Sequence, residues 1–120
     1  MAKKNNPSCY IVDDDPFAVE TMTVLLKDAG FSVTSSTKST GIINGIAKKK
    51  PDVVLGDIMM PGVDGFQLCK QVREHKGLKK TKFIIVSAKT YDFDQKRSFE
   101  FGANGYIRKP VNKETFSDKV

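Results

Sequence analysis

The residues best suited to chemistry are acids, one hydroxyl and one amine: Asp13, Asp14, Asp15, Asp57, Ser87 and Lys109. Each of the four sites follows a short apolar run: CYIV before Asp13, VVLG before Asp57, KFIIV before Ser87 and GYIR before Lys109. A carboxylate at the end of such a run is costly unless something nearby uses it. Clustered carboxylates repel and take up protons unless a cation sits among them. Oxygen ligands of this kind suit Mg2+, which holds few protein carboxylates and keeps positions for water and phosphate. A lysine and a hydroxyl beside it can grip two phosphoryl oxygens. The remaining carboxylate can then be a nucleophile and form an acyl phosphate. Phosphoryl transfer needs mainly positioning and charge neutralisation, and this set supplies both. Each residue has a plainer reading alone: Asp15 as a helix cap, Ser87 as a turn residue, Lys109 as a surface charge. Jointly they argue that Asp57 stands where it does to receive a phosphoryl group.

That argument needs elements that bring the four run ends to one edge. Short apolar runs at 9–13, 31–36, 52–57, 82–88 and 104–109 read as strands. Between them lie segments of helical period. In the first, Asp15 is a plausible N-cap and Pro16 fits the first helical position. Phe17, Met22, Leu25, Leu26 and Ala29 share a face, and Gly30 ends the helix. The segment from Ser39 to Lys50 is a shorter helix, weakened by Gly45. Asp64 to His75 places Phe66, Leu68, Cys69 and Val72 inward. A fourth helix covers Asp92 to Phe101 with Gly102 after it, and a fifth starts at Asn112 with Phe116 and Val120 one turn apart. Strands alternating with helices imply a parallel sheet covered on both faces. Right-handed crossovers make it a doubly wound α/β sandwich, which binds ligands outside the carboxyl ends of its strands.

The bulk properties fit one folded domain of 120 residues, 39% apolar and 28% charged. No apolar stretch approaches the roughly 20 residues that span a bilayer. The first residues lack the apolar core of a signal peptide, so a cytoplasmic location is expected. Cys9 and Cys69 have no histidines at metal-ligand spacing and read as reduced, buried thiols. His75, the only histidine, reads as part of a solvated helix end. The net charge of +6 hints at anionic partners. The lysine runs are scattered along the chain, however, and a solvated surface is the simpler reading.

Taken together, VDDD (12–15), DIMMPGVDG (57–65), VSAK (86–89) and GYIRKP (105–110) resemble the receiver domain of bacterial two-component response regulators, of the chemotaxis-regulator kind. The resemblance covers essentially the whole chain. It implies a flavodoxin-like sheet of five strands in the order 2-1-3-4-5 with five helices. It implies that Asp57 is the phosphoacceptor and that Asp14 binds Mg2+ directly, with Asp13 acting through water. The backbone carbonyl of Met59 would be a further ligand. Ser87 would hydrogen-bond the phosphoryl group, Lys109 would pair with it, and the Lys109–Pro110 bond would be cis. Pro61 and Gly65 would shape the loop after Asp57. Tyr106 holds the position of the switch aromatic, rotating inward as Ser87 and the loop 88–94 move. The surface that responds would carry Lys89, Lys96, Arg97, Arg108 and Lys113 and suit an acidic partner. Two departures from the usual pattern stand out. Ser87 replaces a commoner threonine. Gly56 replaces a bulkier residue, so the core beside Asp57 is expected to be looser.

On this reading residues 1–120 form a receiver domain cut from a longer protein. It takes its phosphoryl group from a sensor histidine kinase or a phosphotransfer protein and turns over no metabolite. A C-terminal output domain and a phosphorylation-dependent dimer are the further partners it implies. The residues 73–82 resemble the corresponding segment in receivers attached to diguanylate cyclases or hybrid kinases, against DNA-binding outputs or none. The rival reading is a haloacid-dehalogenase-like, Mg2+-dependent aspartyl-phosphate phosphatase. It would want a second acid two residues after the nucleophile, where Met59 stands. No helix-turn-helix or aromatic platform supports a nucleic-acid-binding domain, so such contact is expected only through an output domain.

Overall fold

The computed structural model of the chain describes residues 7–88, 92–109, 111, 112, 116 and 120. The apolar runs form five parallel strands: β1 (Ser8–Val12), β2 (Ser32–Ser36), β3 (Val53–Gly56), β4 (Lys82–Ser87) and β5 (Gly105–Arg108). Their order is β2-β1-β3-β4-β5, as the motifs imply. Side chains alternate along a strand, and both faces of this sheet are covered. Tyr10, Val12, Val54, Phe83 and Ile85 enter one core. Cys9, Ile11, Val53, Leu55, Ile84, Val86 and Ile107 enter the other. Each buried aliphatic side chain contributes about 1.5–3 kcal/mol.

Among the described residues there are four α-helices: α1 (Pro16–Asp28), α2 (Ile43–Lys49), α3 (Gly65–Glu74) and α4 (Asp92–Glu100), with a 3-10 turn at Lys76–Leu78 that periodicity did not announce. The fifth helix expected from Asn112 lies largely outside the described residues, as do Lys89, Pro110 and Lys113. What is described of it fits one helical turn: the Phe116 N–H donates to the Asn112 carbonyl at 2.8 Å, and Phe116 is buried.

The helix ends follow the residues read for them except in α2, which begins at Ile43 rather than Ser39 and has no side-chain cap, since Ser39 turns its hydroxyl to the Pro61 and Val63 carbonyls instead. The Asp15 carboxylate accepts from the Phe17 N–H, with Pro16 at the first helical position. Asp64 and Gln67 form a reciprocal capping box on α3. His75 ends α3 and its Nδ1 accepts from the Gly77 N–H. The inward face of α1 differs from expectation. Val19, Met22 and Leu26 are buried, whereas Phe17 is 76% exposed and Ala29 is also exposed. Residues at i, i+3 and i+7 define the stripe that meets the sheet, and Phe17 lies in the first turn before that stripe begins.

The two thiols lie in different cores on opposite faces of the sheet, so they cannot pair. Burial pushes Cys9 up to about 12 and Cys69 up to about 11, which leaves both as inert thiols. Arg73, near the end of α3, ties separate elements together. Its Nε donates to the Gly102 carbonyl and its Nη1 to the Thr81 carbonyl, each at 2.8 Å, and its Nη2 donates to Asn104 Oδ1.

The expectation of a looser core at Gly56 is not met. A methyl group at Gly56 would lie 2.9 Å from Cζ of Phe83 and 3.7 Å from Cδ2 of Leu68. The ring of Phe83, fully buried on the neighbouring strand, already fills the space. Gly56→Val should therefore overpack the core and lower unfolding free energy by about 1–3 kcal/mol. Urea unfolding should show that loss, and adding Phe83→Leu should recover most of it. An undiminished loss in the double variant would mean that the ring is not what excludes the side chain.

Candidate functional site

Three features of the sheet bring the site together. First, Val12 pairs with Gly56, so the next residues, Asp13 and Asp57, lie side by side. Second, Asp13 continues the alternation of Cys9 and Ile11, Asp57 that of Val53 and Leu55, and Lys109 that of Ile107. All three therefore project from the α1 side of the sheet. Third, Ser87 pairs with Arg108, and the Ser87 carbonyl accepts the Lys109 N–H at 2.9 Å. The lysine side chain then reaches past the end of β4 to the acids on β1 and β3.

Its ammonium bridges them. Nζ of Lys109 lies 2.7 Å from Asp13 Oδ2 and 2.8 Å from Asp57 Oδ2. The other carboxylate oxygens turn back on their own loops. Asp13 Oδ1 accepts the Asp15 N–H at 3.0 Å, and Asp57 Oδ1 accepts the Met59 N–H at 3.2 Å. Asp13 and Asp57 are buried and Asp14 is exposed. One carboxylate oxygen from each of these three acids falls within a group spanning at most 4.8 Å. Three carboxylates at that spacing, one reaching solvent, fit a hard divalent cation that retains water. Asp15 is spent on its cap and stands outside the group.

The loop after Asp57 is held from two sides. The Gly65 N–H donates to the Ile58 carbonyl at 3.1 Å, and a methyl group on Gly65 would lie 2.4 Å from the Asp57 carbonyl oxygen. Only glycine permits that approach. From the other side, the buried Ser39 hydroxyl donates to the Val63 and Pro61 carbonyls. Ser39 carries no sequence signal, because its partners are more than twenty residues away. The Met59 side chain is 63% exposed. Ser87 is buried, and Tyr106, paired with Ile85, is half-buried against the core that contains Phe83.

The charges are finely opposed. Burial raises the Asp13 carboxyl above its ordinary value, and repulsion from Asp57 adds to this; Lys109 and the Asp15 N–H counter both without cancelling them. Burial draws the Lys109 amine down, but its hydrogen bonds and charge pairing with Asp13 and Asp57 outweigh this and leave it raised.

A family model described as the response regulator receiver domain matches residues 9–120. The DNA-binding response regulator MtrA of Mycolicibacterium smegmatis is 32% identical over 110 residues, covering 92% of this chain and 47% of its own length. The chain thus spans about half the length of the curated relatives it matches. Among solved structures, the chemotaxis protein CheY4 of Vibrio cholerae superposes with a TM-score of 0.87 at 26% identity, covering 94% of each chain. The receiver domain of the sensor histidine kinase PA1611 of Pseudomonas aeruginosa has a TM-score of 0.84 over 94% of this chain and 93% of its own. At 19% identity it is a likeness of fold, and a magnesium ion is coordinated in its active site cleft.

The electrostatics have a measurable sign. Asp13 binds its proton more tightly folded than unfolded, so its charge lowers stability once pH exceeds 3.8, increasingly so up to its folded value. Lys109 is the converse: its contribution is fully present below 10.5 and is lost as pH rises through its folded value. In metal-free buffer at pH 7, Asp13→Asn should raise Tm by about 3–6 °C. The gain should shrink as pH falls toward 4 and the wild-type carboxyl protonates. Thermal unfolding with a chelator present, at both pH values, checks this. A lower Tm at pH 7 would show that the ion pair outweighs the burial of the charge.

Proposed function

Because this chain belongs to the response regulator receiver domain family, we propose that it is switched by phosphorylation of Asp57. The observation that supports this most directly is the Lys109 ammonium spanning Asp13 and Asp57, at the sheet edge where β4 ends in the buried Ser87. Asp57 is the only one of the three clustered acids with a glycine-shaped loop folded against its own backbone. One of its oxygens bonds to phosphorus as the phosphorus–nitrogen bond of a phosphohistidine breaks, and the departing imidazole takes up a proton. The donor is a sensor histidine kinase or a phosphotransfer protein. Lys109 offsets the added negative charge, and Ser87 donates to a phosphoryl oxygen. Asp13, Asp14, Asp57 and the Met59 carbonyl would hold Mg2+. When bound, the ion neutralises charge developing on the phosphoryl oxygens. The phosphatase alternative has no support here, since the exposed Met59 thioether offers no acid or base two residues past Asp57.

The switch we infer couples Ser87 to Tyr106. The pairing of Ile85 with Tyr106 places the ring one strand over from Ser87. A phosphoryl group that draws the Ser87 hydroxyl toward it vacates space for the half-buried ring. Two packings separated by a few kcal/mol suffice for one covalent group to change which is favoured. The α4–β5 surface, with Lys96, Arg97 and Arg108, is the face that responds.

Incubation with acetyl phosphate and Mg2+ should add one base-labile phosphoryl group to the wild type. None should be added after chelation or in Asp57→Asn. Mass spectrometry reads the result, and equal labelling of the variant rules Asp57 out. For the switch, beryllofluoride should shift NMR resonances around Tyr106 and α4 in the wild type and much less in Ser87→Ala. Equal shifts in both proteins would remove Ser87 from the coupling.

A further inference from the structure

The two lysine runs that look scattered along the chain meet in the fold. Lys48, Lys49 and Lys50 end α2 just before β3, while Lys79, Lys80 and Lys82 precede and open β4. β3 and β4 are adjacent and parallel, with Val53 beside Lys82. The segments leading into them are joined as well: the Thr81 hydroxyl donates to the Pro51 carbonyl at 2.9 Å, and the Lys82 N–H to the Asp52 carbonyl at 3.0 Å. Both runs therefore lie at the end of the sheet where strands begin, opposite the carboxylate site. All six lysines are exposed, and none is hydrogen-bonded or ion-paired to an acid among the described residues. Nearby, the Asp52 carboxylate is occupied by the Ser8 N–H and hydroxyl, at 2.8 and 3.3 Å. Asp28, Glu74 and Glu100 are the other acids whose elements end at this pole, against Lys27 and Lys76 in addition to the six. Lys50 also holds the left-handed C-cap of α2 at φ 45°, where stability alone favours glycine or asparagine.

We propose that this pole is a second binding surface, which docks on the phosphate backbone of a nucleic-acid duplex without reading its sequence. The chemistry of the patch selects that partner. Its charges are lysine ammoniums, point donors that suit phosphate oxygens; the one nearby guanidinium, Arg73, is spent on carbonyl and amide oxygens. A protein partner of stable affinity wants an apolar centre, and a lipid surface wants an apolar wedge. Among the described residues the exposed large apolar side chains are Phe17, Val24, Met59 and Phe99, none of them in these two runs, while Ile46 and Leu78 within the pole are fully buried. A duplex carries one charge per about 1.7 Å of axis, a density of phosphates that clustered exposed ammoniums neutralise with release of counterions. The surface is independent of Asp57 and so stands or falls apart from the proposed phosphorylation.

The test is fluorescence anisotropy with a labelled mixed-sequence duplex of about 20 base pairs, titrated between about 50 and 200 mM KCl. The expected result is binding whose log affinity falls against log salt with a slope of about −4 or steeper. Lys49→Glu with Lys80→Glu should weaken it at least about tenfold and flatten the slope by about 2. Lys38→Glu with Lys96→Glu, exposed lysines elsewhere, makes the same change in net charge and should cost much less. Circular dichroism checks that both variants remain folded. The proposal is overturned if the wild type does not bind the duplex, or if the two double variants lose affinity equally. It is also overturned if phosphatidylserine vesicles or polyglutamate bind at this pole while the duplex does not.

Discussion

The structure turns on the ammonium of Lys109, held between two carboxylates. It can reach both only if the ends of β1, β3 and β5 stand at matching heights and present side chains on one face. Register supplies the height and alternation supplies the face. A slip of one residue in β3 would turn Asp57 to the other side of the sheet and leave an amine buried against a single acid. The ordering of an entire sheet is thus readable from two distances at its edge. The strand that Lys109 crosses, β4, is the one that ends in Ser87, so the residue bearing the hydroxyl stands at the same edge of the sheet as the amine and the acids.

That arrangement is not optimised for stability. Asp13 keeps a carboxyl raised by burial even with a lysine beside it. Three acids crowded at this spacing are an arrangement whose charge an additional cation would relieve. Around it the protein spends rigid structure. A capping box fixes the start of α3, a glycine admits the loop against the Asp57 carbonyl, and Ser39 fastens that loop from β2's side. The groups that would meet a phosphoryl group are held before it arrives, which is how positioning lowers a barrier.

Much of this was legible in the residues. Strand and helix alternation, the Asp15–Pro16 start of α1, the inward set of α3 and the convergence of Asp13, Asp57 and Lys109 all follow from local patterns. What was not legible involves residues distant in sequence. Gly56 looks like a void until Phe83, a strand away, is seen to fill it. Phe17 looks like core because periodicity reports a face but not where that face stops meeting the sheet. The two lysine runs look dispersed because only the parallel pairing of β3 with β4 brings them together. Ser39 and Arg73 act through backbone carbonyls, which every residue carries and which leave no mark on a sequence.

Arg73 has a mechanical consequence. Its guanidinium grips the Gly102 carbonyl just past the end of α4, and Asn104, which it also grips, accepts the Phe83 N–H at 2.9 Å. The C-terminal end of α4 is therefore bolted to α3 and to β4. The opposite end follows the strand that carries Ser87. With nine residues, α4 is a rod of about 13 Å. A rod fastened at one end pivots and does not slide, so a tilt of about 10° sweeps its free end through about 2 Å and leaves the fastened end in place. Any displacement of this helix would be largest at the end that follows Ser87 and smallest at the joint, where Arg73 is joined by the stacked rings of Phe66 and Phe101 and by the Cys69 thiol on the Phe101 carbonyl.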